Sequence, residues 1–399
     1  MSPSRRRRIG SFRGSRQMRA HLVRRRLLRI LSLRFLSGKN TRGLVRMGNL
    51  TAVDLFAGAG GASEGLRLAG FRVIAANELN PQAAWTYSSN HSSTPLIQKD
   101  IRKLSGSEIK SIAGEVPDLI FAGLPCQGFS TAGRRASNDT RNYLFKEVLR
   151  LARELKPPLI LIENVTGLLT MDHGFFVESI RRGLKKAGYA VSERVFDAAN
   201  HGVPQRRKRL FLLGALDAEI DLAEFKVPES DTVTVSEAIS DLSFLQQGSS
   251  ATEYLFPART QYQRIMRKGQ RILHNHLTSH HSSLVKRRFS MVEEGATLRG
   301  VDAWAGTKKL YTIRLNGSQP APTMTTLPDD FIHYSQPRIL SVREMARLQS
   351  FPDSFRFLGP RTTGGPHRKE SCPQYTQVGN AVPPRLMNAV GKAIFTAIG

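Results

Sequence analysis

Cys126 stands in the run Gly123-Leu124-Pro125-Cys126-Gln127-Gly128-Phe129-Ser130, directly after the apolar stretch Asp118-Leu119-Ile120-Phe121-Ala122. A thiol on a glycine-bearing loop at the end of a buried strand sits where open α/β sheets form their clefts, so nucleophilic catalysis by sulfur is the first chemistry to consider. With an ordinary pKa near about 8.5, a thiol is only a few per cent thiolate at neutral pH and needs a cationic neighbour or help in the transition state. Arg134 and Arg135 on the same loop could favour the anion, and no histidine is close by, which argues against a Cys-His protease. The other cysteine, Cys372, lies beside Pro373 in a polar stretch and reads as a bystander.

Glu163 closes the apolar run Leu159-Ile160-Leu161-Ile162, where burial would raise its pKa and make it a proton donor. A helix-cap role is the competing reading, although Asn164 and Thr166 would serve as well. Further on, Gln205-Arg206-Arg207-Lys208-Arg209 leads into another apolar run, and the period of two puts Arg207 and Arg209 on one strand face. Near the start, Asp54-Leu55-Phe56-Ala57-Gly58-Ala59-Gly60-Gly61 is a strand entering a glycine turn that lets backbone approach a ligand. It lacks the third glycine of the dinucleotide fingerprint, because Ser63 holds that position, and a tight turn without ligand is the alternative. Glu78 and Asp100 end the next two strands, and an acid about 20 residues after such a loop can hold ribose hydroxyls. Loop and acids together outline a nucleoside-sized cleft.

The elements that must position these groups alternate short apolar runs with helical stretches, the signature of βα units around a parallel sheet. Strands are predicted at Ala52–Phe56, Val73–Asn77, Leu96–Lys99, Leu119–Ala122, Leu159–Glu163, Val191–Phe196 and Leu210–Leu213. Helices are predicted at Ser63–Ala69, Gln82–Ser89, Tyr143–Leu155, Phe175–Ala187, Val342–Gln349 and Arg385–Ala397. The expected fold is α/β, a doubly wound, mostly parallel seven-strand sheet with a smaller loop-rich second domain. Its predicted divisions are a basic extension at 1–48, a catalytic and cofactor-binding domain at 49–216, an insertion at 217–337, and a return at 338–399.

Of the net charge of +27, residues 1–49 supply 15 units, from 14 Arg and one Lys without an acid, which leaves the rest at +12. A field of that sign favours a polyanion, nucleic acid above all, with a merely soluble basic surface as the alternative. The extension is expected to be a mobile tail. It reads as a nonspecific DNA-binding arm or, in preference, as an Arg-rich transit peptide or as sequence upstream of a true start at Met47, and carries no catalytic role. Two distant cysteines without a CxxC suggest neither a disulfide framework nor a zinc site, and fit an intracellular compartment. His274, His276, His280 and His281 invite a metal reading, but without cysteine or paired carboxylates they read as loop or DNA-facing residues. No apolar run nears the roughly 18 residues of a membrane span.

These blocks resemble the DNA (cytosine-5)-methyltransferase family and occur in its order. They run from the Asp54–Gly61 loop through Pro125-Cys126-Gln127, Glu163-Asn164-Val165 and Gln205–Arg209, to Arg338–Pro352 and Gln377-Val378-Gly379-Asn380-Ala381-Val382-Pro383-Pro384. The resemblance covers nearly everything from Leu50 onward except the middle of the insertion. It implies S-adenosylmethionine as cofactor, with Phe56 on the adenine, Glu78 on the ribose, Asp100 at the adenine amino group, and Gly58, Gly60, Pro125 and Asn380 lining the pocket. It implies that Cys126 attacks cytosine C6, that Glu163 protonates N3, and that Arg209, supported by Arg207, holds O2 of a flipped-out base. The insertion then becomes the target recognition domain, and Arg338–Pro352 organises its junction with the sheet. The implied partner is duplex DNA, with a cognate restriction endonuclease as a further one, for a monomer of bacterial or phage type in the cytoplasm or nucleoid. A transfer-RNA cytosine methyltransferase, a basic DNA-binding protein on a vestigial fold and a dinucleotide-dependent oxidoreductase are the alternatives.

Overall fold

The computed structural model describes residues 50–125, 140–217, 220–300, 311–362 and 371–398. Cys126, Arg134, Arg135 and the basic extension lie outside the described residues.

Seven strands form one sheet: β1 (Thr51–Leu55), β2 (Arg72–Asn77), β3 (Leu96–Ile97), β4 (Leu119–Gly123), β5 (Leu159–Val165), β6 (Tyr189–Asp197) and β7 (Lys208–Leu216). Their order is β3-β2-β1-β4-β5-β7-β6, parallel except for β7, which runs antiparallel to both neighbours. All seven predicted strands are present, in a mostly parallel sheet as expected. Lateral order reverses between β1 and β4, and in open α/β sheets that is where a crevice opens at the strand carboxyl ends.

The central strands are continuously apolar because both faces are covered. Alternate residues serve two cores: Ile120, Ala122, Ile160 and Ile162 point to one, and Leu119, Phe121, Leu159 and Leu161 to the other. The first is closed by α4 (Phe145–Leu155) and α5 (Phe175–Lys186), and the second by α1 (Gly61–Ala69) with the last helix, α11 (Pro384–Ile398). Each fully buried Leu or Ile contributes roughly 1.5–3 kcal/mol, so these layers hold the strand ends firmly in register. Glu163 shares the face of Leu159 and Leu161, and Asp54 that of Ala52, so both acids emerge on the α1–α11 side.

Local signals set the helix starts. Asn80 caps α2 (Pro81–Asn90), its side chain accepting from Gln82 N and Ala83 N, with Pro81 at the first helical position. Outside residues 217–337, two helices were not predicted: α3 (Gly106–Ala113), capped by Ser105, and α10 (Gln374–Asn380).

After β7 the βα rhythm stops. Short helices α6 (Val235–Ile239), α7 (Gln261–Arg267) and α8 (Ser283–Ser290) and the two-residue parallel strands β8 (Ile313–Arg314) and β9 (Phe331–Ile332) are joined by long loops. Apolar side chains of α6, α7 and the later loops gather on α9 (Val342–Leu348), where Met345, Leu348 and Phe351 meet Val235, Tyr262 and Met324, while Phe289 of α8 packs separately with Ile332 and Ile339. Among the described residues, no helix is long and apolar enough to cross a membrane.

Candidate active site

A cleft of about 1100 Å³ opens at the carboxyl ends of the central strands. Of the residues expected to act there, Phe56, Gly58, Glu78, Asp100, Pro125, Glu163, Arg207, Arg209 and Asn380 all line it. Pro125 directly precedes Cys126 in the chain, and Leu124 N donates to the Glu163 carbonyl at 3.3 Å, so the chain leaving β4 runs beside the end of β5 as far as it is described.

On the β1–β3 side the groups are acidic. Gly58 N–H donates to Glu78 Oε2 at 2.8 Å and Asn80 N–H to Oε1 at 2.7 Å, so the Glu78 carboxylate ties the glycine turn to the second strand end. Burial raises its pKa, and these backbone donors pull it back. Asp100 is held the other way: its hydrogen bonds with Arg102, at 2.6 Å to Nη2, keep it low. Phe56 carries a φ of 57°, a left-handed conformation uncommon outside glycine that a functional turn sustains. Beneath it, fully buried Asp54 accepts from Ser63 Oγ at 2.6 Å through Oδ2, while its Oδ1 has no partner. Desolvation pushes Asp54 up to about 7.

On the β5–β7 side a carboxyl faces a cation. Arg209 Nε stands 2.9 Å from Glu163 Oε1, both largely buried, and antiparallel register supplies the pairing by placing Val165 opposite Arg209 and Glu163 opposite Phe211. Burial raises the Glu163 pKa despite the opposing charges of Arg209 and Arg207. Burial and the two arginine charges act on this carboxyl in opposite directions, and burial prevails.

Three placements add to the sequence reading. Gly60 does not line the cleft: its φ is 100°, and a Cβ there would lie 2.4 Å from His91 Nε2, so its glycine admits the imidazole that reaches the Gly60 carbonyl. Arg207 donates to the carbonyls of Met324 at 3.0 Å and Gly379 at 2.9 Å, a brace between chain segments. Cys372 lines the cleft near Glu78, where burial and that carboxylate push its thiol up to about 12 and keep it neutral.

Sequence reasoning missed the far wall, Thr323–Leu327 with Asp330, and gave no role to Leu79, which is 58% exposed in the cleft mouth. The closely spaced prolines and threonines of Gln319-Pro320-Ala321-Pro322-Thr323-Met324-Thr325-Thr326 were the available signal for the wall. Of the four insertion histidines, His276 is spent on Ser341 Oγ and the Leu242 carbonyl, and His281 accepts from Ile339 N.

Several known proteins are similar to this chain in sequence or in fold. The Type II methyltransferase M.DdeI of Desulfomicrobium norvegicum is 35% identical over 369 residues, covering 86% of this chain and 88% of that protein. The Type II methyltransferase M1.HphI of Haemophilus parahaemolyticus is 33% identical, covering 87% of each. Among solved structures, one described as a DNA modification methyltransferase encoded within an Escherichia coli prophage superposes with a TM-score of 0.72 at 26% identity, over 87% of this chain and 99% of that one. The Schizosaccharomyces pombe Dnmt2 methyltransferase, at 18% identity and a TM-score of 0.54, shares the fold. The family described as C-5 cytosine-specific DNA methylase matches residues 50–396, essentially the whole sheet, its insertion and α11. The chain belongs to the C-5 cytosine-specific DNA methylases and is a DNA cytosine-5 methyltransferase.

Proposed function

We propose that this chain transfers a methyl group from S-adenosylmethionine to C5 of cytosine within a short duplex DNA sequence, through a transient bond between Cys126 and C6 of a flipped-out base. What carries this reading is the single cleft that joins the Glu163–Arg209 pair and the Pro125 loop to the acidic glycine turn. The donor set suits the cofactor: Glu78 for the ribose, Asp100 for the adenine amino group, Phe56 for the ring, and the Gly58 turn and Asn380 alongside. When bound, it supplies a methyl group on an electron-deficient sulfonium.

The Cys126 thiolate adds to C6, and the electron pair this pushes into the ring leaves C5 nucleophilic. Glu163, its pKa raised, gives its proton to N3, so the ring carries the added pair without net negative charge. Arg209 holds O2 by the charge that now faces Glu163. After C5 has gained its methyl group, the C5 proton leaves to a base, the C6–sulfur bond breaks, and N3 returns its proton. Arg207 acts behind Arg209 by bracing the strand start. C5 and C6 are covered in a stacked duplex, so the base must be extruded at a cost of a few kcal/mol. Phosphate contacts from the basic body help offset that, each adding about 0.9 to the salt slope. Residues 217–337 act as the target recognition domain and residues 338–352 as its junction with the sheet.

The reading extends to a monomer working inside the cell on duplex DNA, of the Type II restriction-modification kind, with a cognate endonuclease as its counterpart. Bisulfite sequencing of DNA from a host expressing the chain tests it: protected cytosines clustered in one short sequence are expected, and their absence refutes it. Labelled methyl transfer to DNA but not to transfer RNA is the accompanying expectation.

A further inference from the structure

Between the two halves of the cleft lies a buried polar junction that the chemistry above does not use. Gln205 is fully buried and its amide is saturated. Its Nε2 donates to the Leu348 carbonyl at 3.1 Å and to Gln349 Oε1 at 2.9 Å. Its Oε1 accepts the Met324 N–H at 2.8 Å and Arg207 Nη1 at 3.4 Å. Gln349, equally buried, extends the chain of bonds from its own Nε2 to the Val378 carbonyl at 2.8 Å. Arg207 closes the circuit through the carbonyls of Met324 and Gly379.

Four segments meet at this junction: the strand start that carries Arg209, the wall Thr323–Leu327, the end of α9, and the last turn of α10 with Asn380. They fit closely. The segment before β7 pairs with the wall through Arg206 N to the Ala321 carbonyl at 2.8 Å, and a Cβ on Gly379 would lie 2.1 Å from Thr325 O. Neither the α10 turn nor the wall can shift without the other, and a buried amide with every bond made enforces one arrangement rather than a sliding contact.

We propose that Gln205, together with Gln349, is a positioning residue that couples the two halves of the cleft. Occupying the Asn380 side draws the Thr323–Leu327 wall into place for DNA, and DNA on the wall tightens the Asn380 side by the same factor, as linkage requires. The proposal rests on the reading of these halves as the methyl-donor and DNA sides.

Two experiments on the full chain test it. In the first, amide hydrogen exchange is followed with and without S-adenosylhomocysteine. The peptide carrying Thr323–Leu327 should slow by about tenfold, within the usual span of site-to-site coupling, and this slowing should vanish in Gln205→Met while that at Asn380 persists. An unchanged wall, or slowing that survives the substitution, overturns the proposal. In the second, S-adenosylhomocysteine is titrated alone and with a short duplex bearing the site mapped by bisulfite sequencing. The duplex should tighten binding about tenfold in the parent and scarcely at all in Gln205→Met or Gln349→Met, whose affinity without DNA stays within about twofold. Gln205→Glu, which keeps the acceptor for Met324 N–H, should recover part of the coupling. Full coupling in either Met variant, or none in a parent that binds S-adenosylhomocysteine, refutes the idea. A parent that binds none removes the cofactor reading itself, a distinct failure. Should both Met variants unfold, exchange at the wall of the unaltered chain decides the question.

Discussion

Asp54 and Glu163 at the strand ends are buried as deeply as Glu344 and Asp353 around α9, yet the first two have raised pKa values and the last two lowered ones. Partner geometry makes the difference. Asp54 has one hydroxyl partner and a bare oxygen, and Glu163 meets one guanidinium nitrogen at 2.9 Å. Glu344 is gripped by both Arg338 terminal nitrogens at 2.8 and 2.7 Å and by the Ser341 N–H at 2.7 Å. Asp353 takes a two-point grip from Arg347 at 2.6 and 2.5 Å, with Arg343 at 3.9 Å. Burial alone raises a carboxyl, and two-point pairing with arginine reverses the sign. The α9 network therefore holds one lobe together with fixed charges, whereas burial with weaker pairing raises Asp54 and Glu163 at the strand ends.

Substitutions in the two regions should separate activity from stability. Cys126→Ala should abolish labelled methyl transfer to DNA while leaving the urea unfolding midpoint and S-adenosylhomocysteine binding unchanged; residual turnover near the parent rate would break the assignment of the nucleophile. Glu163→Gln should lower kcat by roughly 10²–10⁴ through loss of the proton donor, with a stability cost well below that at α9, because it removes a desolvated acid and keeps an acceptor for the one Arg209 nitrogen it meets. The reverse pattern is expected at α9. There Arg347→Met strands Asp353 and weakens the pairing of Asp241, costing about 3–5 kcal/mol in urea unfolding, so that any protein still folded retains its chemistry.

Acid titration sharpens the contrast with the smallest effect. The folded pKa of Asp353 is about 2 against an ordinary 3.8, so its stabilisation is complete above about pH 4 and is lost as pH falls toward 2. This amounts to roughly 2 kcal/mol, measurable as a difference in urea midpoint between mildly and strongly acid buffers that shrinks in Asp353→Asn. Asp54 carries the opposite sign: its folded pKa of about 7 makes it increasingly destabilising as pH rises from about 4 toward 7, and Asp54→Asn should flatten that slope.

Much of the site could be read from the chain because its blocks lie at strand ends, where apolar runs mark the strand and the next polar residue marks the cleft. Glu163 after Leu159–Ile162 and Glu78 after Val73–Asn77 are examples. Side-chain direction was less legible. Arg207 was expected to support Arg209 from the same strand face; that Arg209 meets Glu163 while Arg207 donates to carbonyls more than a hundred positions away could not be read from their spacing. Gln205 and Gln349 are 144 residues apart, and nothing in their local sequence announces that they bond. The helix α3 had its signals, Ser105 as cap with Glu108 behind it and Gly114 after it, but buries only Gly106 and Ile109, so its apolar periodicity was faint. In α10, which buries Tyr375, Gln377, Val378 and Gly379, the packing of the second lobe imposes a helix on a polar stretch.

The central claim is a transient bond between the Cys126 sulfur and C6 of the target cytosine. The direct measurement is to incubate the chain and S-adenosylmethionine with duplex DNA carrying 5-fluorocytosine in the mapped site, since fluorine cannot leave C5 as a proton does and the adduct should persist. The account predicts a denaturation-resistant protein–DNA species whose modified peptide contains Cys126. Bound DNA and methylated ordinary cytosine without any such adduct, or an adduct on another residue, would contradict it.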